Sequence, residues 1–208
     1  SDVANGGLNF RVNARNLISA RYYFSQFSYP DAGVGFTANS ATFGIDRAWS
    51  RRLSSSVSAG PEWIGSWDKV LVPSAATLRA HAIADYRLRS GSIGVAYDRG
   101  ASEGSGFFYG ASVSSISGSY SREFDKRLTL GLTGGYRRTA GLTSQTTIYG
   151  TFGGIQVSKR IGRYCNVFAS YTATDQSSSS SLPTNLLSEL SQTVGFGITY
   201  SRETDPRR

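Results

Sequence analysis

The chain of 208 residues is 39% apolar and 17% charged, with a formal net charge of +8 and a pI near 9.8. Charged residues fall below the roughly 25% of ordinary soluble domains, and glycine is heavily used, with 24 residues. A large aliphatic soluble core is excluded by that balance, and disorder is excluded by 3 Trp, 12 Tyr and 11 Phe spread along the chain. No run approaches the roughly 18 consecutive apolar residues of a membrane-spanning helix.

The opening Ser1-Asp-Val-Ala-Asn-Gly-Gly7 has neither the basic nor the apolar region of a signal peptide, and the chain has no Met. The expectation is a processed piece of a longer precursor. A single cysteine, Cys165, allows no internal disulfide and matches no zinc or redox spacing.

Short basic turns recur along the chain. Asn13-Ala-Arg-Asn16 comes first, then Asp46-Arg-Ala-Trp-Ser-Arg-Arg-Leu53, Asp85-Tyr-Arg-Leu-Arg-Ser-Gly-Ser92, Ser121-Arg-Glu-Phe-Asp-Lys-Arg-Leu128 and Val157-Ser-Lys-Arg-Ile-Gly-Arg-Tyr164. The strands that follow begin near Leu17, Leu53, Gly91, Leu128 and Tyr164, a period of about 37 residues. Between these turns lie longer connections rich in Pro, Gly, Asp and Ser, at 29–34, 66–75, 100–106, 140–144 and 176–186. Two long strands, a tight turn and a longer loop per period describe an up-and-down meander.

The pattern predicts about eleven strands: 6–12, 16–28, 36–48, 53–64, 76–88, 91–99, 107–123, 127–139, 145–159, 163–175 and 188–201. Side chains alternate across a strand, so each face can be read directly. Residues 76–88 set Ala76, Leu78, Ala80, Ala82, Ala84, Tyr86 and Leu88 against Thr77, Arg79, His81, Ile83, Asp85 and Arg87. Leu128, Leu130, Leu132 and Tyr136 oppose Arg127, Thr129, Gly131 and Thr133; Leu190, Val194, Phe196, Ile198 and Tyr200 oppose Glu189, Ser191, Thr193, Gly195 and Gly197. Strands 107–123 and 145–159 change phase partway, which predicts bulges or strand bounds that lie elsewhere.

Strand length decides where the apolar face points. Runs of 10–15 residues exceed the roughly 5–6 of soluble strands and meet the roughly 9–11 a membrane strand needs. Aromatics gather near strand ends, as interfacial girdles do: Trp49, Tyr86, Tyr120, Phe124, Tyr164 and Tyr200 by the short turns, and Trp63, Trp67, Tyr136, Phe24, Phe27, Tyr29 and Phe107 by the long loops.

This pattern resembles the outer-membrane β-barrels of Gram-negative bacteria, and Thr193-Val-Gly-Phe-Gly-Ile-Thr-Tyr200 is similar to the last strand such proteins present to the barrel-assembly machinery. It departs from the commonest form in continuing from Ser201 to Arg208. The turn Ser50-Arg-Arg-Leu-Ser54 and the segment Leu132-Thr-Gly-Gly-Tyr-Arg-Arg138 also resemble a porin-like barrel family of no assigned chemistry. The resemblance implies an all-β, up-and-down antiparallel transmembrane barrel of about 10–12 strands in the outer membrane, with lipid and the assembly machinery as partners. It lends little chemistry. Residues 1–208 read as one barrel domain. Eleven strands are odd where closed barrels are usually even, so the expectation is an N-terminal strand missing before Ser1, or a first segment that does not span.

On the polar face the phase places Arg21, Asp46, Glu62, Arg79, His81, Asp85, Arg87, Asp98, Arg127, Arg137 and Glu189, which either brace a narrow barrel or line a pore with modest anion preference. Most other cations, among them Arg51, Arg52, Arg89, Lys126, Lys159, Arg160 and Arg163, sit at the short turns, where they face anionic headgroups. Nucleic acid is not an expected partner, because no motif or aromatic-studded basic groove is present.

A catalytic reading has one anchor, the only histidine. His81 lies four residues before Asp85 on the polar face, and barrel lipases and deacylases resemble one another in placing Ser two residues after the His, where this chain has Ile83. Ser54, Ser56 and Ser58 on the neighbouring strand are alternatives that the sequence does not rank. Asp31, Asp68 and Asp175 stand in separate loops, as weak calcium ligands or, as isolated loop aspartates usually are, as turn formers. No catalytic residue, metal or cofactor is expected. The leading expectation is a non-enzymatic small passive channel or envelope scaffold; the alternatives are an accessory to polysaccharide or protein export with periplasmic partners, and a soluble or cell-surface β-sheet binding module.

Overall fold

The computed structural model describes residues 1–29, 33–66, 74–102, 110–125, 127–142, 146–162, 164–179 and 190–200, and every regular element among them is a strand. The strands are β1 (Asp2–Arg11), β2 (Asn16–Tyr29), β3 (Val34–Ala48), β4 (Leu53–Ser66), β5 (Ala75–Leu88), β6 (Gly91–Ser102), β7 (Ala111–Asp125), β8 (Leu128–Gly141), β9 (Thr147–Ile161), β10 (Cys165–Ser178) and β11 (Leu190–Tyr200). They form one antiparallel sheet in sequence order. Among the described residues β1 and β11 are not hydrogen-bonded to each other, so the sheet has two open edges.

The short turns are built by side chains that substitute for backbone acceptors. Asn13 Oδ1 accepts the N–H groups of Arg15 (2.8 Å) and Asn16 (2.9 Å). Ser50 Oγ does the same for Arg52 (3.1 Å) and Leu53 (3.0 Å). At the β9–β10 turn Gly162 takes φ = 70°, a conformation only glycine adopts cheaply.

Register fixes the two faces. Ile18, Ile45, Val57, Ala82, Tyr97, Ile116 and Tyr136 follow one another across neighbouring strands and form an apolar row on the outer face. The adjacent row on the inner face reads Ser19, Gly44, Ser58, His81, Asp98, Ser115 and Arg137. A chain that exposes Phe196 at 79%, Ile198 at 74% and Phe43 at 70% on one face needs an apolar surround to hold them.

Among the described residues a compact apolar cluster lies inside, toward the long-loop end. Phe27, Phe36, Ala38 and Ile64 are buried there, with Tyr29, Ala101 and Leu142 packed against them. Phe27 and Phe36 stack at 4.6 Å. Phe36 of β3 also reaches Gly110, just before β7, where a Cβ would come within 2.8 Å of its ring. The sheet is therefore curled far enough for β3 to touch the start of β7.

Three expectations change. The first strand spans Asp2–Arg11 and pairs with β2 along its whole length, so it is a full strand. Phe27 and Tyr29 belong to the interior cluster and not to an outer girdle. The phase changes in β7 and β9 have a different cause from bulges. The one register shift in β7 lies at Glu123/Asp125, near its end, and β9 pairs continuously with both neighbours. Val113 lines the interior cavity, and Phe152 lies over Gly135, where an added Cβ would meet its Cζ at 2.6 Å. Apolar side chains on the wet face, laid on glycine, produced the apparent slip.

Candidate functional site

An interior cavity of about 570 Å³ is lined by Arg21 of β2, Asp46 of β3, Ser58 of β4, Arg79 and His81 of β5, Asp98 of β6 and Arg137 of β8. Each side chain arrives there by strand parity. Gly7, opposite Arg21, leaves room for the arginine stem: a Cβ on Gly7 would sit 2.7 Å from Arg21 Cγ.

Two polar assemblies reach the cavity wall. In the first, Glu62 is fully buried, its Oε1 accepts from Arg79 Nη1 at 3.3 Å, and its Oε2 accepts the Ala101 N–H at 2.8 Å. Arg79 also lays its guanidinium over the Tyr23 ring, 4.4 Å from the centroid. One arginine thus ties β5 to β4 and, across the interior, to β2. In the second, His81 Nδ1 lies 2.5 Å from Asp98 Oδ1.

The remaining sequence candidates separate. Asp85 faces inward opposite Ser54 and Gly94, nearer the short turns, with Arg87 beyond it opposite Ser92. On its own strand Asp85 stands four residues from His81. Four strand residues span about 13 Å, too far for a bond, and Asp98 on the adjacent strand takes its place. Arg127 stands exposed in the turn before β8 and not on the strand wall. Glu189 and Trp67 lie outside the described residues, as do Asp31, Asp68, Phe107, Lys126 and Arg163, whereas Asp175, expected in a loop, lies within β10 opposite Thr151 and Leu190. Sequence reading missed Tyr23, Phe36, Ile64 and Val113. Their parity on the polar face was the available signal.

Of the girdle aromatics, Trp49, Tyr86, Phe124, Tyr164 and Tyr200 are exposed toward the short-turn end, and Trp63 and Tyr136 are exposed on the outer face. Tyr120 shares the outer row through its pairing with Ile93 and Leu132. Tyr164 and Tyr200 approach to 6.1 Å, and Arg47 lies 4.0 Å over Trp49. Among the described residues no cluster of His, Cys, Asp and Glu could hold a metal ion.

Long antiparallel strands joined up and down, apolar outside and charged inside, define the class of the outer-membrane β-barrel. One solved structure shares the fold. Outer-membrane-expressed OmpT of Vibrio cholerae matches with a TM-score of 0.53 at 12% identity, over 95% of this chain and 64% of that one. In-vitro-folded OmpT, an outer membrane protein of the same organism, matches at 0.49 and 10% identity, over 95% and 88% of the two chains. No family model matches the chain, and no curated protein matches it.

Proposed function

We propose that the chain resides in the outer membrane as a narrow passive channel for small hydrophilic solutes, with no chemistry required for passage. The observation that carries this reading is the charged cavity of about 570 Å³ on the inner face, bounded by arginines and carboxylates from five strands. Such a lining replaces part of a solute's hydration shell and discriminates by charge. Arg21, Arg99 and Arg137 stand against Asp46 and Asp98, and Arg79 is offset by Glu62, so one positive charge is left over and selectivity is weak, toward anions.

One observation favours a second reading, an envelope scaffold that does not conduct. Phe36, Phe27 and Ile64 fill the interior toward the long loops, and the Glu62–Arg79–Tyr23 assembly lies directly beneath them.

Recordings from the detergent-purified chain in planar bilayers separate the two. Reproducible single-channel steps support the channel. Heat-modifiable, folded protein that leaves the bilayer silent supports the scaffold, and a chain recovered folded without detergent overturns both.

A further inference from the structure

The register sets Ser58, His81 and Asp98 in direct succession on β4, β5 and β6, all on the inner face. Sequence alone left Ser54, Ser56 and Ser58 equivalent. The pairing separates them, because Ser54 stands opposite Asp85 and Ser56 opposite Ile83. Directly opposed residues hold their Cβ atoms about 4.5–5.5 Å apart, within reach of a hydroxyl and an imidazole.

His81 is already oriented. Its Nδ1 faces Asp98 Oδ1 at 2.5 Å, and a carboxylate there selects the tautomer with the proton on Nδ1 and leaves Nε2 free to accept. All three side chains line the same cavity, which is large enough for a small ester. Arg79, the next inward residue on β5, is immobilised by Tyr23 and Glu62 and presents a fixed cation beside the histidine.

We propose that Ser58, His81 and Asp98 form a nucleophilic site that hydrolyses small carboxylic esters inside the barrel, an activity beyond passive transport. Ser58 Oγ attacks the ester carbonyl carbon as its proton passes to His81 Nε2. The oxyanion that forms is stabilised by the Arg79 guanidinium. Collapse breaks the ester C–O bond, and the leaving alkoxide takes the proton from Nε2 and departs as the alcohol. Water then attacks the acyl-Ser58 carbonyl, giving its proton to Nε2. Ser58 Oγ leaves with that proton, and a carboxylic acid is released. Asp98 remains ionised throughout and holds the imidazole in place.

The test uses the full chain folded in detergent, with the gel shift on boiling confirming the fold of every variant. A fluorophosphonate probe should label the wild type, and peptide mapping should place the label on Ser58. Hydrolysis of p-nitrophenyl acetate should fall at least about 100-fold in Ser58→Ala and in His81→Ala, the loss expected of a missing nucleophile or base, and be unchanged in Ser54→Ala. Labelling at another residue, or turnover that survives Ser58→Ala in a folded barrel, overturns the proposal. So does a wild type that neither labels nor turns over, in which case His81 and Asp98 are a wall contact only. Bilayer conductance is independent of every arm, so the channel reading stands or falls separately.

Discussion

Glu62 on β4 and Ala101 on β6 are hydrogen-bonded to each other across the strand that separates them. The carboxylate Oε2 accepts the Ala101 N–H at 2.8 Å. Pairing between β5 and β6 ends at Ala80 and Arg99, so the last residues of β6 have lost their partner on that side. In a bilayer-embedded sheet such a backbone donor must be satisfied internally, and a buried carboxylate reaching over β5 does so. Glu62 therefore repairs a gap in the ladder while its other oxygen holds Arg79.

Removing Arg79 should be more harmful than removing the pair. Arg79→Ala leaves Glu62 buried without its cation and is expected to destabilise the folded barrel by about 3–5 kcal/mol, whereas Glu62→Gln combined with Arg79→Leu, which removes both charges and keeps an acceptor for the Ala101 N–H, should lose markedly less. Urea unfolding of the vesicle-inserted protein, followed by tryptophan fluorescence, measures both. Equal losses would mean that the ion pair, and not the stranded carboxylate, carries the stability.

Gly60 is the second structural hinge of this region. A Cβ there would strike the Ala41 carbonyl and lie 2.8 Å from Thr42 Cα, both backbone atoms with no freedom to move aside. The next residue, Pro61, has no N–H for the ladder, and the β3–β4 register is silent at 41 and 42. Gly60→Ala should cost about 3 kcal/mol, the upper range for overpacking. In contrast, Gly153→Ala, where nothing lies within 4 Å, should be close to neutral. A lowered unfolding midpoint for the first variant alone is the expected result.

The meander and its faces were legible because both rest on local periodicity. The alternation of 76–88 and the turns at Asn13 and Ser50 follow from side-chain parity and turn chemistry. What the sequence could not show was which strand residue stands opposite which. His81 was read against Asp85, on its own strand, whereas its partner Asp98 lies 17 positions away and becomes a neighbour only once β5 and β6 pair. Glu62 and Arg79 are likewise 17 positions apart and become neighbours only once β4 and β5 pair. Phe27 and Tyr29 were misplaced because aromatics near a strand end were read as interfacial before their parity was checked.

The two faces should respond oppositely to the same added charge. Leu132→Arg places a guanidinium among the exposed apolar residues of the outer face, where about 2–4 kcal/mol is lost near the bilayer midplane. Ser117→Arg enters the inner face, between Ala96 and Gly135, and should leave stability within about 1 kcal/mol. Unfolding midpoints in vesicles check the pair. The reverse order would exchange the inner and outer assignments and turn the exposed rows into a protein core.

Selectivity tests the cavity charges with a signed outcome. Asp46→Asn removes one negative charge from the lining and should move the reversal potential in a potassium chloride gradient toward chloride; Arg137→Gln should move it toward potassium. Both shifts should shrink between about 0.1 M and 1 M salt, as the screening length contracts from about 10 Å to about 3 Å. Because the wild-type lining is nearly balanced, each single substitution changes a large share of the net charge, and the opposite signs guard against a general change in pore width. Two shifts of the same sign would place the conducting path away from Asp46 and Arg137 and remove the cavity from the account of transport.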